Sequence, residues 1–429
     1  MSGLTLDRTA LPGGAGVQAL RQQAVDIFSR TGLPGRRDED WKYTDISRIT
    51  ATLGETWWQP APTETAEPEI SDIEGLDAYR IVFVRGAFQL EASNLPDSIQ
   101  LKPLSALLAE DVDATSHGLL KLDESAPLFN GFLAANSALA SDGLCACIGE
   151  NTKLDKPLYV LHIGNSTAHL LNGIMLGQGA EATLIEHFVG GDGSAAGLSN
   201  IATYIRLQDH ASLSHYRLQM ESAKQFHIGR VDVQQARNSR YTLHAVELGG
   251  SLSRADIVVK LAEAGASCEL NGLFVAAGRQ HIDHHTRIDH AAPHCSSREQ
   301  YRTVLDGRAH GVFNGKIVVA EGAVKTDSAQ SNGNLLLSKQ AEIDTKPELE
   351  IYNDDVKCAH GVTVGQLDET QLFYLKSRGL SETEARQLLT FAFADEILVA
   401  MGHNAIRRFI EKAAFAKLPN MTDLDGLLG

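Results

Sequence analysis

From Cys145 to Asp368 the sequence is written almost entirely in segments too short for helices. LYVLHI, EATLIEHF, NIATYIRL, ASLSHYRLQ, RADIVVKLA and SCELNGLFV are typical: short, apolar or alternating, and separated by Gly, Asn and Asp. Such segments read as strands, because side chains two apart share a face and one face can be buried. Of the 12 prolines only Pro157, Pro293 and Pro347 fall in this stretch, as expected where most backbone amides serve a ladder. A sandwich, a propeller or a solenoid could host the pattern. No blade signature recurs at a fixed period and no cysteine pair staples two sheets. Short, irregularly spaced strands over so long a run therefore predict a mainly β protein with a parallel β-helix core.

The flanks differ. Residues 1–145 carry helix signals, with Val17, Leu20, Ala24, Ile27 and Phe28 at helical spacing and Gly32 as a stop, so a mostly helical α/β region is expected there. Helical character is also expected over Leu104 to Leu122 and Asn130 to Ala140, and a linker over Gln59 to Glu69. The core then spans 146–368, and 369–429 forms a C-terminal helical domain. Asp368-x-x-Gln371 and Ser381-x-x-Glu384 are capping-box patterns that open its first two helices. These helices would either cap the solenoid's exposed edges or offer a docking face to a partner.

Charge and cysteine usage exclude several functions. The formal charge of −16 leaves no basic field to steer a polyanion, so nucleic acid is not an expected partner. The start MSGLTLDRTALPGGAG has no basic, apolar secretory pattern, and the charge-free run from Pro157 to Ala180 is too polar to span a membrane. Five scattered cysteines, Cys145, Cys147, Cys268, Cys295 and Cys358, fit reduced thiols in a cytoplasmic protein and are too dispersed to hold a cluster unaided. GVFNGKI is not a phosphate loop, GGDGSAAG misses dinucleotide spacing, and HExxH and GxSxG do not occur. ATP hydrolysis or hydride transfer by this chain is not expected.

Two clusters could carry chemistry. QHIDHHTRIDHAAPHC holds His281, His284, His285, His290, His294 and Cys295, readable as a metal site or as a polar ladder satisfied by Asp283 and Asp289. In a strand, Asp283, His285 and Arg287 would take one face and His284, Thr286 and Ile288 the other. IYNDDVKCAHGVTVG places Cys358 and His360 on one face, where an imidazolium would lower the thiol pKa; a small buried cysteine beside a turn histidine is the plainer reading.

The stretch from GVFNGKIVVAEG through NDDVKCAHGVTVGQLDETQLFYLKSRGLS resembles the SufB/SufD family of iron–sulfur cluster assembly scaffolds. KCAHGVTVGQLD and the N-terminal RRDEDWKYT are similar to its SufD branch. The resemblance implies a right-handed parallel β-helix, and a non-catalytic scaffold subunit whose ATPase activity resides in a partner. It implies a SufB–SufC2–SufD complex in which SufB pairs through the β-helix, a SufC ATPase docks on the C-terminal helices, and SufS/SufE delivers sulfur. His360 and Cys358 are then the candidate ligands of iron or a nascent iron–sulfur cluster at the SufB interface. A reduced flavin is a trait of that complex that no residue here places, and the chain alone could pair with itself. Two other readings stay open: a β-helix enzyme acting on polysaccharide through Asp283, Asp354 and Asp355, and a self-associating structural solenoid.

Overall fold

The computed structural model describes residues 11–58, 72–95, 99–109, 122–164, 166–190 and 195–417. The linker read over Gln59 to Glu69 lies outside them, as does the far half of the helix expected to reach Leu122.

The centre is a parallel β-helix built from two sheets, of ten and nine strands. Successive strands from Leu144–Ile148 to Lys357–Gly365 alternate between the sheets, so each from Ala168–Leu176 onward stacks in parallel on the strand one coil earlier. Leu158 lies beneath Leu184 while His310 lies beneath Glu342, so coil length drifts along the axis and leaves no fixed period in the sequence.

One end of every coil turns through a left-handed residue: Asn151, Gly179, His210, Asn238, Gly265, His294 and Lys325. The amide of each donates to a carbonyl in the next coil, as in Asn238 N to Ala264 O at 3.1 Å and Lys325 N to Asp355 O at 2.7 Å. This column converts a costly conformation into an axial hydrogen-bond ladder.

Inward-facing positions build the core from residues such as Leu243, Ala255, Ile257, Leu270, Ile282 and Ile317, all fully buried. Each such aliphatic side chain contributes roughly 1.5–3 kcal/mol. The interior is not wholly apolar. Glu186, His215, Arg217, His227, Glu247, His284 and Glu299 are also buried. Gly229 and Gly272 make room, since a Cβ at either would overlap Arg217 or Tyr301.

Each sheet's outer face is covered by one helical region. Helix Ala15–Thr31, helix Gly131–Leu139 and Trp41, Trp57 and Trp58 pack on Leu198, Phe226, Ile228 and Leu252 of the nine-stranded sheet. The RRDEDWKYT segment pins this layer. Trp41 lies under the Arg254 guanidinium, 3.8 Å from the ring centroid, and Arg254 Nη1 donates to Asp40 O at 2.6 Å. Three strands of this region join the sheets: Tyr79–Val84 pairs in parallel with Leu158–Gly164 and antiparallel with Ala87–Phe88, and Gln100–Pro103 pairs antiparallel with Leu144–Ile148.

The C-terminal helices Glu382–Leu398 and Asn404–Ala416 lay Ala394, Ile397, Leu398, Ile406 and Ile410 on Tyr216, Leu218, Val246 and Val275 of the ten-stranded sheet. They cover a flank and leave the solenoid's last edges open, so the edge-cap reading gives way. Ser381 forms the expected reciprocal capping box with Glu384, whereas Asp368 caps helix Glu369–Ser377 by accepting from Thr370 and Gln371 without a reciprocal bond. No described helix is long and apolar enough to cross a membrane.

Candidate site at the open end of the solenoid

The last strand of each sheet has a neighbour on one side only. Lys357–Gly365 pairs with Asp327–Leu336, and Glu342–Ile351 pairs with His310–Val319. Pro347 sits in the middle of the second, where an edge strand tolerates a residue that cannot donate to a ladder. Together the two strands form an end with unpaired backbone and exposed apolar groups, Ile351 at 42%, Tyr352 at 60% and Val364 at 51%. Long open edges of this kind invite pairing with another chain.

Cys358 and His360 both lie on the final strand, two apart and on the face that continues the interior columns. Cys358 stacks on Ser328 and His360 on Gln330. The Cys358 side chain is half-buried and packs against the core. His360 is exposed and makes no hydrogen bond or ion pair among the described residues. Burial, and then the Asp327 carboxylate, push the Cys358 thiol above its ordinary value. A thiolate activated by its neighbouring imidazole is therefore not what the fold provides, and desolvation outweighs that expectation. The other thiols follow the same rule: burial raises Cys147, Cys268 and Cys295, and pushes Cys145 up to about 12.

Beneath this end the columns stay polar. Ser297 Oγ and Ser328 Oγ are 2.8 Å apart, His290 Nε2 is 2.9 Å from Ser297 Oγ, and Gln330 Nε2 donates to Glu299 Oε2 at 2.6 Å. Glu299 has no ion-pair partner among the described residues, and burial pushes its carboxyl up to about 7.

The histidine-rich segment divides between the two faces of its strand, His281–His290. His284 points inward, with Nε2 3.1 Å from Glu247 Oε1, and His290 meets Ser297. Outward, His281 Nε2 bonds Thr44 Oγ1 at 2.8 Å and His285 Nε2 lies 3.1 Å from Asp283 Oδ1. His294 belongs to the column of left-handed turns. These groups do not converge, so the polar-ladder reading fits them. Asp283 is buried against Arg254, while Asp354 and Asp355 are exposed at a turn and Asp355 pairs with Lys325. The carboxylates required by the polysaccharide reading are not brought together.

Sequence comparison extends over the same architecture. Residues 161–393 match the family model described as "SUF system FeS cluster assembly, SufBD core domain", and residues 13–160 match the SufBD protein N-terminal region. The chain belongs to the SufBD family. It is 32% identical to the iron–sulfur cluster assembly protein SufD of Escherichia coli over 93% of this chain and 92% of that one. A SufBD family protein of Synechocystis is 33% identical over 88% of this chain and 86% of its own length. The chloroplastic protein ABCI7 of Arabidopsis thaliana is 28% identical, with 91% and 84% covered. Within the SufBD family the chain is thus a SufD-type iron–sulfur cluster assembly protein.

Two groups in this SufBD chain escape a reading by motif. The buried Glu186–His215 and Arg217–Glu247 pairs join residues on neighbouring coils, and the buried His227–Glu221 pair spans the turn between two consecutive strands. His310, Glu342 and Asp344 meet only through strand register. Alternation in SHYRLQ, which puts His215, Arg217 and Gln219 on one face, was the available signal for the first group.

Proposed function

We propose that this chain is the SufD-type subunit of a Suf scaffold and lends His360 to a nascent iron–sulfur cluster assembled against a SufB-type partner. The reading rests on one observation above all: a solvent-exposed, unpartnered imidazole on the outermost strand of an open sheet edge. Edge strands supply the docking surface, because a second β-helix laid against them would satisfy their free backbone groups and cover Ile351, Tyr352 and Val364. His360 then faces the partner, which contributes the thiolates this chain is poorly supplied to give. Cys358, half-buried one position behind on the same face, is a second candidate ligand whose thiol would need the metal's charge to ionise. Iron and sulfur are cargo here, the sulfur coming from a SufS/SufE-type system.

A SufC-type ATPase would dock on the C-terminal helices. Phe373 at 73% and Tyr374 at 55% exposure lie on helix Glu369–Ser377, away from the packed flank. Energy use is thereby assigned to the partner.

Replacing His360 with Ala tests the reading. Assembly with SufB- and SufC-type subunits should persist while cluster reconstitution on the complex fails, read by visible absorption and iron and sulfide content. A normal cluster yield would refute it.

A further inference from the structure

We propose that His310, Glu342 and Asp344 form a second metal site, for a first-row divalent cation such as ferrous iron or zinc, on the outer face of the nine-stranded sheet. It does not rest on the role assigned to His360, which lies on the other sheet.

Strand register builds the cluster. His310 stands directly beside Glu342, and Asp344 follows two residues along on the same outward face, above Val312. One ligand atom from each of the three lies within 4.8 Å of the other two, and His310 Nε2 is 2.8 Å from Asp344 Oδ2.

The charges around it are unbalanced. Further along that face Glu348 and Glu350 are compensated by Lys316, Glu350 at 2.7 Å, and Glu348 also by Lys346, which in turn reaches Glu39 at 2.9 Å. Glu342 and Asp344 have no lysine or arginine within ion-pairing distance among the described residues. Two adjacent carboxylates sharing one imidazole hold more negative charge than their surroundings offset, and a divalent cation supplies the difference.

His281 provides an independent observation. Its ring packs edge-on against His310, with centroids 4.7 Å apart, and it is only 9% exposed. Thr44 Oγ1 spends its proton on Asp283 Oδ2 at 2.5 Å, so the 2.8 Å contact to His281 Nε2 requires that nitrogen to be the donor. Anchored through Thr44 and Asp283, His281 presents the ring against which His310 packs, and so orients the imidazole that carries the proposed ligand nitrogen.

The donor set selects the ion. One imidazole nitrogen and two carboxylate oxygens without a thiolate suit Fe2+, Co2+ or Zn2+, not cuprous ion, and too few oxygens converge for Ca2+. Three protein ligands leave positions open to water, so the ion would exchange.

Titrating the purified full-length chain anaerobically with Co2+, followed by visible absorption, tests the proposal. One equivalent should bind without a sulfur-to-metal charge-transfer band. Asp344→Asn and His310→Ala should each weaken binding roughly tenfold or more. A Cys358→Ser/His360→Ala double variant should bind like the parent. Thermal melts confirm that the near-isosteric Asp344→Asn variant is folded. Unchanged Co2+ affinity in Asp344→Asn, or loss of binding in the Cys358/His360 double variant, would overturn it.

Discussion

Glu299 offers the sharpest test of the buried polar interior. Its side chain is 1% exposed, stacks between Leu270 and Gln330 in the neighbouring coils, and accepts from Gln330 Nε2 at 2.6 Å. Desolvation is the largest influence and outweighs the Thr286 hydroxyl and the Gln330 hydrogen bond, moving the carboxyl from the ordinary 4.5 to about 7. A carboxyl whose folded pKa is raised costs nothing below its unfolded pKa, and costs progressively more as pH rises between the two values. At 1.36 kcal/mol per unit, the shift corresponds to a penalty of about 3 kcal/mol above neutrality. Glu299→Gln removes the ionisation while its amide oxygen still accepts from Gln330. Urea denaturation followed by far-ultraviolet circular dichroism should therefore show the variant more stable by about 3 kcal/mol near pH 8, with the gain fading towards pH 4.5. The reasoning fails if the variant is no more stable than the parent at the higher pH, or if the gain is the same at both.

Three further outcomes can be measured on the same protein. Burial holds His162, His169, His244, His281 and His290 down at about 4 and His187 at about 3. Since the unfolded imidazoles protonate near 6.5, stability should fall as pH drops from there to about 4, seen as a declining urea midpoint; a flat profile would contradict the neutral buried state. Arg217→Met strands Glu247, which lies 2.5 Å from the guanidinium and whose pKa Arg217 and His284 bring down to about 2 against the upward pull of burial. A loss of about 3–5 kcal/mol is expected, largely recovered by adding Glu247→Gln, and an additive double variant would refute the coupling. Phe373→Asp should leave the melting temperature unchanged and weaken capture of a SufC-type ATPase, whereas truncation at Asp368 would also strip Ile397, Leu398, Ile406 and Ile410 from the sheet they cover.

The β-helix was legible in the sequence because its cause is local. Strands such as RADIVVKLA declare themselves by alternation, and the scarcity of proline between Cys145 and Asp368 fits backbone amides committed to ladders. The turn column was hidden because only Asn151, Gly179, Asn238 and Gly265 carry residues expected at positive φ. Lys325 occupies the same conformation without advertising it, and His210 and His294 signal it more weakly than Gly does. The common face of Cys358 and His360 followed from their two-residue spacing, but Cys358's raised pKa did not, since it depends on how deeply the last coil buries the thiol. Sequence proximity was a poor guide to chemistry between His281 and His294, where strand alternation sends adjacent histidines to opposite faces. The residues that do meet, His310 with Glu342 and Asp344, or Arg217 with Glu247, are separated by about one coil. In a solenoid the chemical neighbour of a side chain is found one turn along the axis, and because coil length here is irregular, no pattern of spacing in the chain alone could pair them.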